Sequence, residues 1–441
     1  MTESREMNRL PKLMSSVAPL EYAAPPPPST KSAMTILWLV VFADMMGFGL
    51  IVPSLPLYAD QYNASPVQIA LLFSLFSLCQ FLASPVLGLM SDRFGRRPVL
   101  VLSQMGTVSG YVLLGWTMLV SWQNLSIAIG LMYLSRIIDG ISGGNISTAH
   151  AYIGDISTPQ NRAARMGLLG AAFGIGFSAG PALGALLSLW HASAPAFGAA
   201  AFTAVACGIT IAALPESRRP GQNQTSESWL HPSRFMPVLR NPVLGQLLFG
   251  GFFAMMAFVM LEVVFALYLK DVFHYGQTAV NWLFALVGVV ILVVQAGLIG
   301  PLVRAFGEWR VNIAGILIAV VSMALYTATA YRPMLVLLIL AALFNAVGRS
   351  MWFPSLNALI SQSGGRDVQG VTFGVFHALL SLSRVFGPLI AGAIYARYVS
   401  GPFVFAGAIL LAVGTWMIVL IRRRGAMTMT ETAPVMLEST A

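Results

Sequence analysis

Long apolar runs recur along almost the whole of this 441-residue chain, and many are long enough to cross a lipid bilayer. A membrane-spanning helix needs roughly 20 apolar residues, because the hydrocarbon core is about 30 Å thick. Only 9% of the residues are charged, against about 25% in a typical soluble protein, which excludes an ordinary soluble enzyme. The runs predict an all-α membrane protein with twelve spans, at 34–59, 67–90, 98–120, 126–146, 166–190, 194–214, 243–269, 277–303, 311–331, 334–357, 369–396 and 402–421.

Basic residues are distributed unevenly around these spans. If span 1 runs from inside to outside, 19 of the 25 Lys and Arg residues fall in cytoplasmic segments, three fall in outside loops and three lie within spans. The positive-inside rule therefore predicts a multi-pass protein of a bacterial cytoplasmic (inner) membrane, with both termini in the cytoplasm. The same distribution accounts for the formal net charge of +9 without nucleic acid as a partner.

The longest hydrophilic connection separates six predicted spans from six, and the two halves echo each other. A glycine, a charged residue and a second glycine follow the second span of each half at the same spacing, as Gly88, Asp92, Gly95 and as Gly300, Arg304, Gly307. This repeat predicts two pseudo-symmetric six-helix bundles, with a substrate held between them near the midplane. We expect a disordered cytoplasmic tail (1–33), an N-terminal bundle (34–214), a cytoplasmic linker (215–242), a C-terminal bundle (243–421) and a second cytoplasmic tail (422–441).

The connection after span 2 reads GLMSDRFGRRPVL from Gly88 to Leu100. Glycines permit close helix contact and a tight turn, and a carboxylate among arginines can form ion pairs that hold the loop between helices. Such a latch, formed in one state only, biases a change between two conformations. The simpler interpretation is that the arginines only follow the positive-inside rule. The candidate latch residues are Gly88, Asp92, Arg93, Gly95, Arg96 and Arg97.

Span 5 carries glycines at intervals of four residues, Gly176, Gly180 and Gly184, with Pro181 in the same stretch. Small residues along one stripe let two helices pack closely, and an internal proline kinks the backbone. A packing stripe with no role in transport is the alternative interpretation.

Both stretches resemble signatures of the major facilitator superfamily. The loop is similar to its pattern Gly-x-Leu-x-Asp-Arg-x-Gly-Arg-Arg/Lys, and span 5 is similar to the motif of its drug:proton antiporters. The resemblance implies a secondary active transporter, not an enzyme, that exports a lipophilic drug-like molecule by alternating access, with a proton gradient as its energy source. It implies lipid, protons and a small-molecule substrate as partners, with no cofactor or metal, and we expect a monomer. Span 1 resembles the first helix of the tetracycline-resistance branch, with Asp44, Gly47, Gly49, Pro53 and Pro56 in matching places.

The same sequence features also bear on other transport functions. An importer or facilitator of a sugar, amino acid or organic acid is the alternative, because it would use the same loop. The tetracycline pumps also carry an aspartate before a tyrosine in span 3, where this chain has Gly110 before Tyr111. An ATP-driven pump is excluded, because the sequence contains no Gly-x-x-x-x-Gly-Lys-Ser/Thr loop.

Six strongly ionisable residues lie well inside the predicted spans, where a charge costs at least about 2.5 kcal/mol and needs a partner, water or a proton. Asp44 and Arg136 both lie near mid-depth and can form an ion pair. Asp139, three residues after Arg136 on the same helix, can compete with Asp44 for that arginine. Burial favours the protonated acid and a nearby arginine favours the carboxylate, so helix movement or substrate arrival can move a proton. The candidate proton-coupling residues are Asp44, Arg136, Asp139 and Glu262.

Glu262 is the acid that lies well inside a predicted span of the second half. It can pair with Arg349, pair with Arg384 or bind a cationic substrate, and the two arginines can equally bind an anionic group of the substrate. Methionine and aromatic residues around Glu262 suit an adaptable apolar pocket. The candidate substrate-binding residues are Glu262, Met256, Phe258, Met260, Phe265, Arg349 and Arg384.

Overall fold

A computed structural model of the chain describes residues 30–158, 161–217, 241–363 and 369–437. Within these residues twelve helices are long and apolar enough to span a membrane, which confirms the predicted number. Most of the predicted tail 1–33 and linker 215–242 lies outside the described residues. Spans 1 to 6 contain the helices Thr30–Ile51, Pro66–Phe94, Arg96–Leu119, Leu125–Ser142 with Ile146–Ile156, Arg162–Ser188 and Ala194–Ala213. Spans 7 to 12 contain Pro242–Phe273, Gln277–Val293 with Ile299–Phe306, Glu308–Tyr331, Leu335–Ser363, Gln369–Tyr395 and Gly401–Leu437.

Several helices end beyond the predicted bounds, as span 12 does at Leu437 instead of 421, and spans 1 and 4 are interrupted within them. Span 1 stops at Ile51 rather than at 59, because Pro53 and Pro56 lack the N–H group that a continuing helix needs. A separate short helix follows at Leu55–Gln61. Span 4 continues past its predicted end at 146, through a 3-10 turn at Gly143–Asn145.

The two halves pack by the same scheme. Span 1 packs on spans 5 and 6 and span 3 on spans 4 and 6; likewise span 7 packs on spans 11 and 12 and span 9 on spans 10 and 12. Span 2 packs on span 11 and span 5 on span 8, so equivalent positions join the halves twice. Gly95 (φ 99°) and Gly307 (φ 78°) make the equivalent turn in each half. The described residues therefore form two pseudo-symmetric six-helix bundles, as the sequence predicts.

Large apolar side chains cover the outside of the spans. Leu82, Val205 and Val293 are 59%, 62% and 59% exposed, and each belongs to a different span. Apolar surface this extensive is stable in lipid rather than in water. The chain is therefore a multi-pass membrane protein.

We call the side of the molecule away from the chain termini the far face and the opposite side the termini face; the bundles contact each other toward both. Gly392 of span 11 allows a close approach on the far face, since a Cβ on it would lie 2.6 Å from Cβ of Ala70. On the termini face, the rings of His150 and His377 meet across the bundles, with centroids 5.7 Å apart. The hydrogen bonds and ion pairs that join the bundles within the described residues all lie in the half toward the far face: Asp60–Lys270, Ser54–Gln277, Ser188–Asn281 and Ser74 to the Val385 carbonyl.

Candidate functional site

Asp44 lies in the middle of span 1, with 7% of the residue exposed. Asn145 donates a hydrogen bond from Nδ2 to Asp44 Oδ2 at 2.8 Å, while Asp44 Oδ1 has no hydrogen-bond partner among the described residues. The turn at Gly143–Asn145, which divides span 4 into two helices, places this amide beside Asp44. Of the two partners that the sequence left open for Arg136, Asp44 is not the one that the structure forms, because the described contacts of Arg136 are with other residues.

Arg136 pairs instead with Asp139, one turn further along span 4. Nη1 of Arg136 lies 3.1 Å from Oδ2 of Asp139, and both side chains are 2% exposed. The guanidinium also lies over the rings of Phe76 and Tyr111, 5.9 Å and 5.6 Å from their centroids. The aromatic faces and the carboxylate together stabilise the positive charge inside the bundle.

Gly110 of span 3 makes room for Asp139. A Cβ on Gly110 would lie 3.0 Å from Cβ of Asp139, so a larger residue there would push span 4 away. The tetracycline pumps that the sequence resembles carry an aspartate at the position of Gly110. In this chain a carboxyl group reaches the neighbourhood of Tyr111 from span 4 instead.

In the C-terminal bundle, Glu262 pairs with Arg349, and their Oε2 and Nη1 atoms are 3.1 Å apart. Arg349 also reaches the other bundle, where its guanidinium carbon lies 4.7 Å from the ring centroid of Phe177. Arg384 lies over Phe173, at 5.4 Å, and no carboxylate of the described residues lies within 4 Å of its guanidinium. Of the two pairings that the sequence left open for Glu262, the structure forms the one with Arg349.

A small cavity of about 10 Å³ lies between the bundles near these charges, which is room for about one water molecule. The residues of span 7 that line it recur at helical spacing: Met255, Val259, Glu262 and Val263. The predicted wall of Met256, Phe258, Met260 and Phe265 lies outside that stripe. These four are at most 6% exposed and do not line this cavity, and their role in substrate binding stays a prediction.

Three aromatic rings and Ser77 of the N-terminal bundle, with one proline of the C-terminal bundle, form other parts of the pocket wall. Phe48, Phe73 and Phe177 face the cavity from spans 1, 2 and 5, and Pro388 from span 11. Arg384 is also in its lining, next to Glu262. The cavity is thus an apolar pocket with one acid and one arginine at its wall.

Arg96 is the centre of the predicted latch. Its guanidinium pairs with Asp92 (Nη2 to Oδ1, 2.8 Å) and with Asp155 at the end of span 4 (Nε to Oδ2, 3.0 Å). Glu216, after span 6, accepts hydrogen bonds from the backbone N–H groups of Arg96 and Arg97, at 2.9 Å and 3.1 Å. The loop is therefore held to spans 4 and 6 of its own bundle.

The other latch residues have lesser contacts. Gly95 has a φ of 99°, and a Cβ on it would lie 2.6 Å from Oε2 of Glu216. Arg93 lies over the adjacent Phe94 ring, and a Cβ on Gly88 would meet only Ser147, at 3.9 Å. That the latch forms in one state only stays a prediction.

The glycines of span 5 pack directly on span 1. Cβ atoms built on Gly176, Gly180 and Gly184 would lie 2.6 Å from the Phe42 carbonyl oxygen, 2.7 Å from Cα of Gly49 and 2.8 Å from the Leu50 carbonyl oxygen. Close backbone packing within the N-terminal bundle is therefore what these glycines provide.

Asn145, Phe173 and Phe177 are among the site residues that were not predicted from the sequence. Asn145 carried a signal, because it is a polar amide that follows two glycines inside an apolar span. Phe173 and Phe177 carried none that separates them from the other aromatic residues of the spans. They are recognised only because the arginines of the other bundle lie over their rings.

Two helical bundles that enclose charged residues and a small apolar cavity at their junction define a membrane transporter rather than an enzyme. Residues 37–388 and 247–434 of the chain match the Major Facilitator Superfamily. The chain belongs to this superfamily.

Proteins similar in sequence to this chain include drug-resistance proteins. The chain is 30% identical to "Tetracycline resistance protein, class C" of Escherichia coli over 377 residues, which cover 84% of this chain and 91% of that protein. It is 28% identical to "Multidrug resistance protein 2" of Bacillus subtilis (strain 168) over 388 residues, 86% of this chain and 93% of that protein. The sequence thus resembles the drug-efflux members of the superfamily, as its motifs predict.

Solved structures agree with the fold. The human organic anion transporter MFSD10 (TETRAN) superposes with a TM-score of 0.66 at 25% identity, covering 88% of this chain and 100% of that chain. The nucleoside transporter NupG superposes with a TM-score of 0.63 at 14% identity, covering 90% of this chain and 99% of that chain, and shows the fold alone.

Proposed function

We propose that this chain exports a lipophilic, drug-like small molecule across a bacterial cytoplasmic membrane in exchange for protons. The names of its relatives, a tetracycline resistance protein and a multidrug resistance protein, support this direction and this kind of substrate. The cavity between the bundles has an apolar and aromatic lining that suits such a compound, and the bundles must move apart for it to enter, since the present volume is about 10 Å³.

The observation that carries the proposal is the environment of Asp44. Its carboxyl group is buried in the membrane and has one neutral donor, Asn145, with no arginine or lysine of the described residues within 4 Å. An ionised carboxylate costs at least about 2.5 kcal/mol at such a depth, so a proton is the natural partner for the free oxygen. Asp44 can therefore take up a proton in one conformation and lose it when water reaches it in another.

Asp139 is the second carboxyl in this proton path. It neutralises Arg136, and Gly110 brings it close to Tyr111 and span 3. A change in the tilt of span 4 moves Asp139, Arg136 and Asn145 together, because all three are on that span. Movement of span 4 thus changes the surroundings of Asp44 through Asn145.

The arrangement of the bundles supports alternating access. If the positive-inside rule sets the orientation, the termini face is cytoplasmic and the far face lies outside. The hydrogen bonds and the ion pair at the far face then close the site toward the outside. The termini face, where no hydrogen bond or ion pair of the described residues joins the bundles, is the face that leads to the cytoplasm. In the reverse state the far-face contacts would break and release the substrate outward.

The test compares wild type with Asp44→Asn in a host that lacks its own drug pumps. A panel of unrelated toxic compounds first identifies those against which the wild-type protein protects growth. Inverted membrane vesicles with an acidified interior then report transport of the protective compounds. We expect accumulation with wild type and none with Asp44→Asn at equal amounts of folded protein.

The matched control is Asp271→Asn, which alters a carboxyl at the far end of span 7 that accepts a hydrogen bond from Tyr395. It should keep proton-driven accumulation. Full transport by Asp44→Asn would overturn the role of Asp44. Uptake of a nutrient in the opposite direction, with no protection against any compound, would support the importer instead.

A further inference from the structure

Two arginines of the C-terminal bundle lie against one helix of the N-terminal bundle. Arg349 lies over Phe177 at 4.7 Å and Arg384 over Phe173 at 5.4 Å, measured from the guanidinium carbon to the ring centroid. Phe173 and Phe177 are one turn apart on span 5, so they present neighbouring rings on the same side of the helix. Both guanidinium groups therefore stand at the boundary between the bundles, close to mid-depth.

The two arginines differ in how their charge is balanced. Glu262 pairs with Arg349 at 3.1 Å, which leaves that couple neutral. Arg384 has no carboxylate within 4 Å and no hydrogen bond to any group among the described residues. Because an arginine stays protonated even when buried, one positive charge remains uncompensated at the junction.

This charge faces the cavity. Arg384 and Glu262 are the ionisable residues of its lining, and the rest of the wall includes Phe48, Phe177 and Met255. Since Glu262 is already paired with Arg349, the donors of Arg384 are the polar groups that are free to hold a ligand. In the structure the guanidinium of Arg384 lies against the ring of Phe173. A carboxylate of a ligand would bind the guanidinium more strongly than this ring does, because it accepts two parallel charge-assisted hydrogen bonds.

We propose that Arg384 binds the anionic group of the substrate, so that this transporter takes amphiphilic organic anions, with a carboxylate or sulfonate on the guanidinium and the apolar body against Phe48, Phe177 and Met255. This inference rests on the proposed function, since it names the class of compound that the exporter carries. Binding at Arg384 would also let the substrate change how the two bundles contact each other. An anion that draws Arg384 away from Phe173 removes a contact between the two halves.

Two dyes of one scaffold test the charge preference. Fluorescein is an anionic xanthene and rhodamine 6G is a cationic one, so their apolar bodies are alike while their charges are opposite at neutral pH. Binding to the purified full-length protein in detergent is followed by fluorescence anisotropy, which needs neither a proton gradient nor transport. Wild type should bind fluorescein more tightly than rhodamine 6G.

The variants are Arg384→Gln, Arg384→Lys and the control Arg397→Gln, which removes a charge from the connection between spans 11 and 12. Arg384→Gln should weaken fluorescein binding at least about tenfold while leaving rhodamine 6G binding equal or tighter. Arg384→Lys, which keeps the charge but loses the paired hydrogen bonds, should bind fluorescein more weakly than wild type and more tightly than Arg384→Gln, and Arg397→Gln should match wild type. If Arg384→Gln does not fold, weaker fluorescein binding by Arg384→Lys still supports the proposal, and unchanged binding overturns it.

The inference is overturned if wild type does not bind fluorescein, or if folded Arg384→Gln binds it as tightly as wild type does. Its failure is distinct from failure of the proposed function. A protein that exports rhodamine 6G in vesicles but does not bind fluorescein is a proton-driven exporter without the anion site. A protein that binds fluorescein through Arg384 but shows no proton-driven accumulation has the anion site without that function.

Discussion

Gly180 of span 5 and Gly49 of span 1 meet through their backbones: a Cβ built on Gly180 would lie 2.7 Å from Cα of Gly49 and from the Met46 carbonyl oxygen. This contact fixes the distance between the helix that carries Asp44 and the helix that carries Phe173 and Phe177. The proton site and the arginine contacts between the bundles are therefore connected by a close packing of glycines.

Replacing Gly180 by valine should damage the protein strongly. No side chain fits between the two backbones, so span 5 must shift, and overpacking of this kind costs about 1 to 3 kcal/mol. The measurement is the thermal unfolding midpoint in detergent, together with protection of growth. Gly170→Val is the control on the same helix, because a Cβ there meets no atom within 4 Å. Equal effects of the two substitutions would contradict the role given to the Gly180 contact.

Asp139 and Asp44 should differ in their effect on stability. Asp139→Asn leaves Arg136 charged and without its carboxylate, and breaking a buried ion pair in this way costs about 3 to 5 kcal/mol. Asp44→Asn leaves a neutral amide beside Asn145, so we expect a change within about 1 kcal/mol. Thermal unfolding of the two purified variants measures the difference. A larger loss for Asp44→Asn than for Asp139→Asn would show that the ion pair of Arg136 is assigned to the wrong acid.

Gly95→Ala should weaken the latch by more than backbone strain alone explains. Both Gly95 and Gly307 have dihedral angles that favour glycine, so alanine at either position costs about 1 to 3 kcal/mol. At Gly95 the new Cβ also meets Oε2 of Glu216, whose carboxylate binds the next two N–H groups, whereas at Gly307 it meets nothing within 4 Å. We expect Gly95→Ala to lower transport rate more than Gly307→Ala does, and similar rates would argue against the Glu216 contact.

The ion pair between Asp60 and Lys270 should control the opening of the far face. Asp60→Lys places two positive charges across the bundles, while the double change Asp60→Lys, Lys270→Asp restores an attractive pair. In a background with Cys79 and Cys207 replaced by serine, a cysteine at Ser54 is labelled with a membrane-impermeant maleimide. Labelling should be faster with Asp60→Lys and return toward the parent rate in the double variant. Unchanged labelling in both would contradict closure by this pair.

Sequence reasoning predicted the spans, the repeat and the family because these depend on composition and on local motifs. A run of apolar residues indicates a span wherever it occurs, and the glycines at 95 and 307 mark the same turn in both halves. The pairing of charges did not follow from the sequence. The position of each residue along its helix put Asp44 and Arg136 at the same depth in the membrane. The partner of Asp44 depends instead on the turn at Gly143–Asn145, which directs the Asn145 side chain toward Asp44.

The residues that line the cavity could not be told from the sequence for a related reason. Span 7 carries methionines and aromatic residues on every side, so composition does not tell which of them face the other bundle. Packing decides it: Phe258 lies against Trp352, with centroids 5.0 Å apart, while Met255 and Val259 line the cavity. The roles of Phe173 and Phe177 could not be predicted for the same reason, since the arginines that lie over their rings belong to the other half of the chain.

The central claim is that Asp44 carries the proton that drives export, and proton movement itself is its most direct test. Purified protein is reconstituted into vesicles that contain a pH-sensitive dye, and a compound identified in the growth panel is added outside. Wild type should change the internal pH when the compound enters. Asp44→Asn should let the compound move down its own gradient with no change in pH. A pH change of the same size in Asp44→Asn and wild type would contradict the claim.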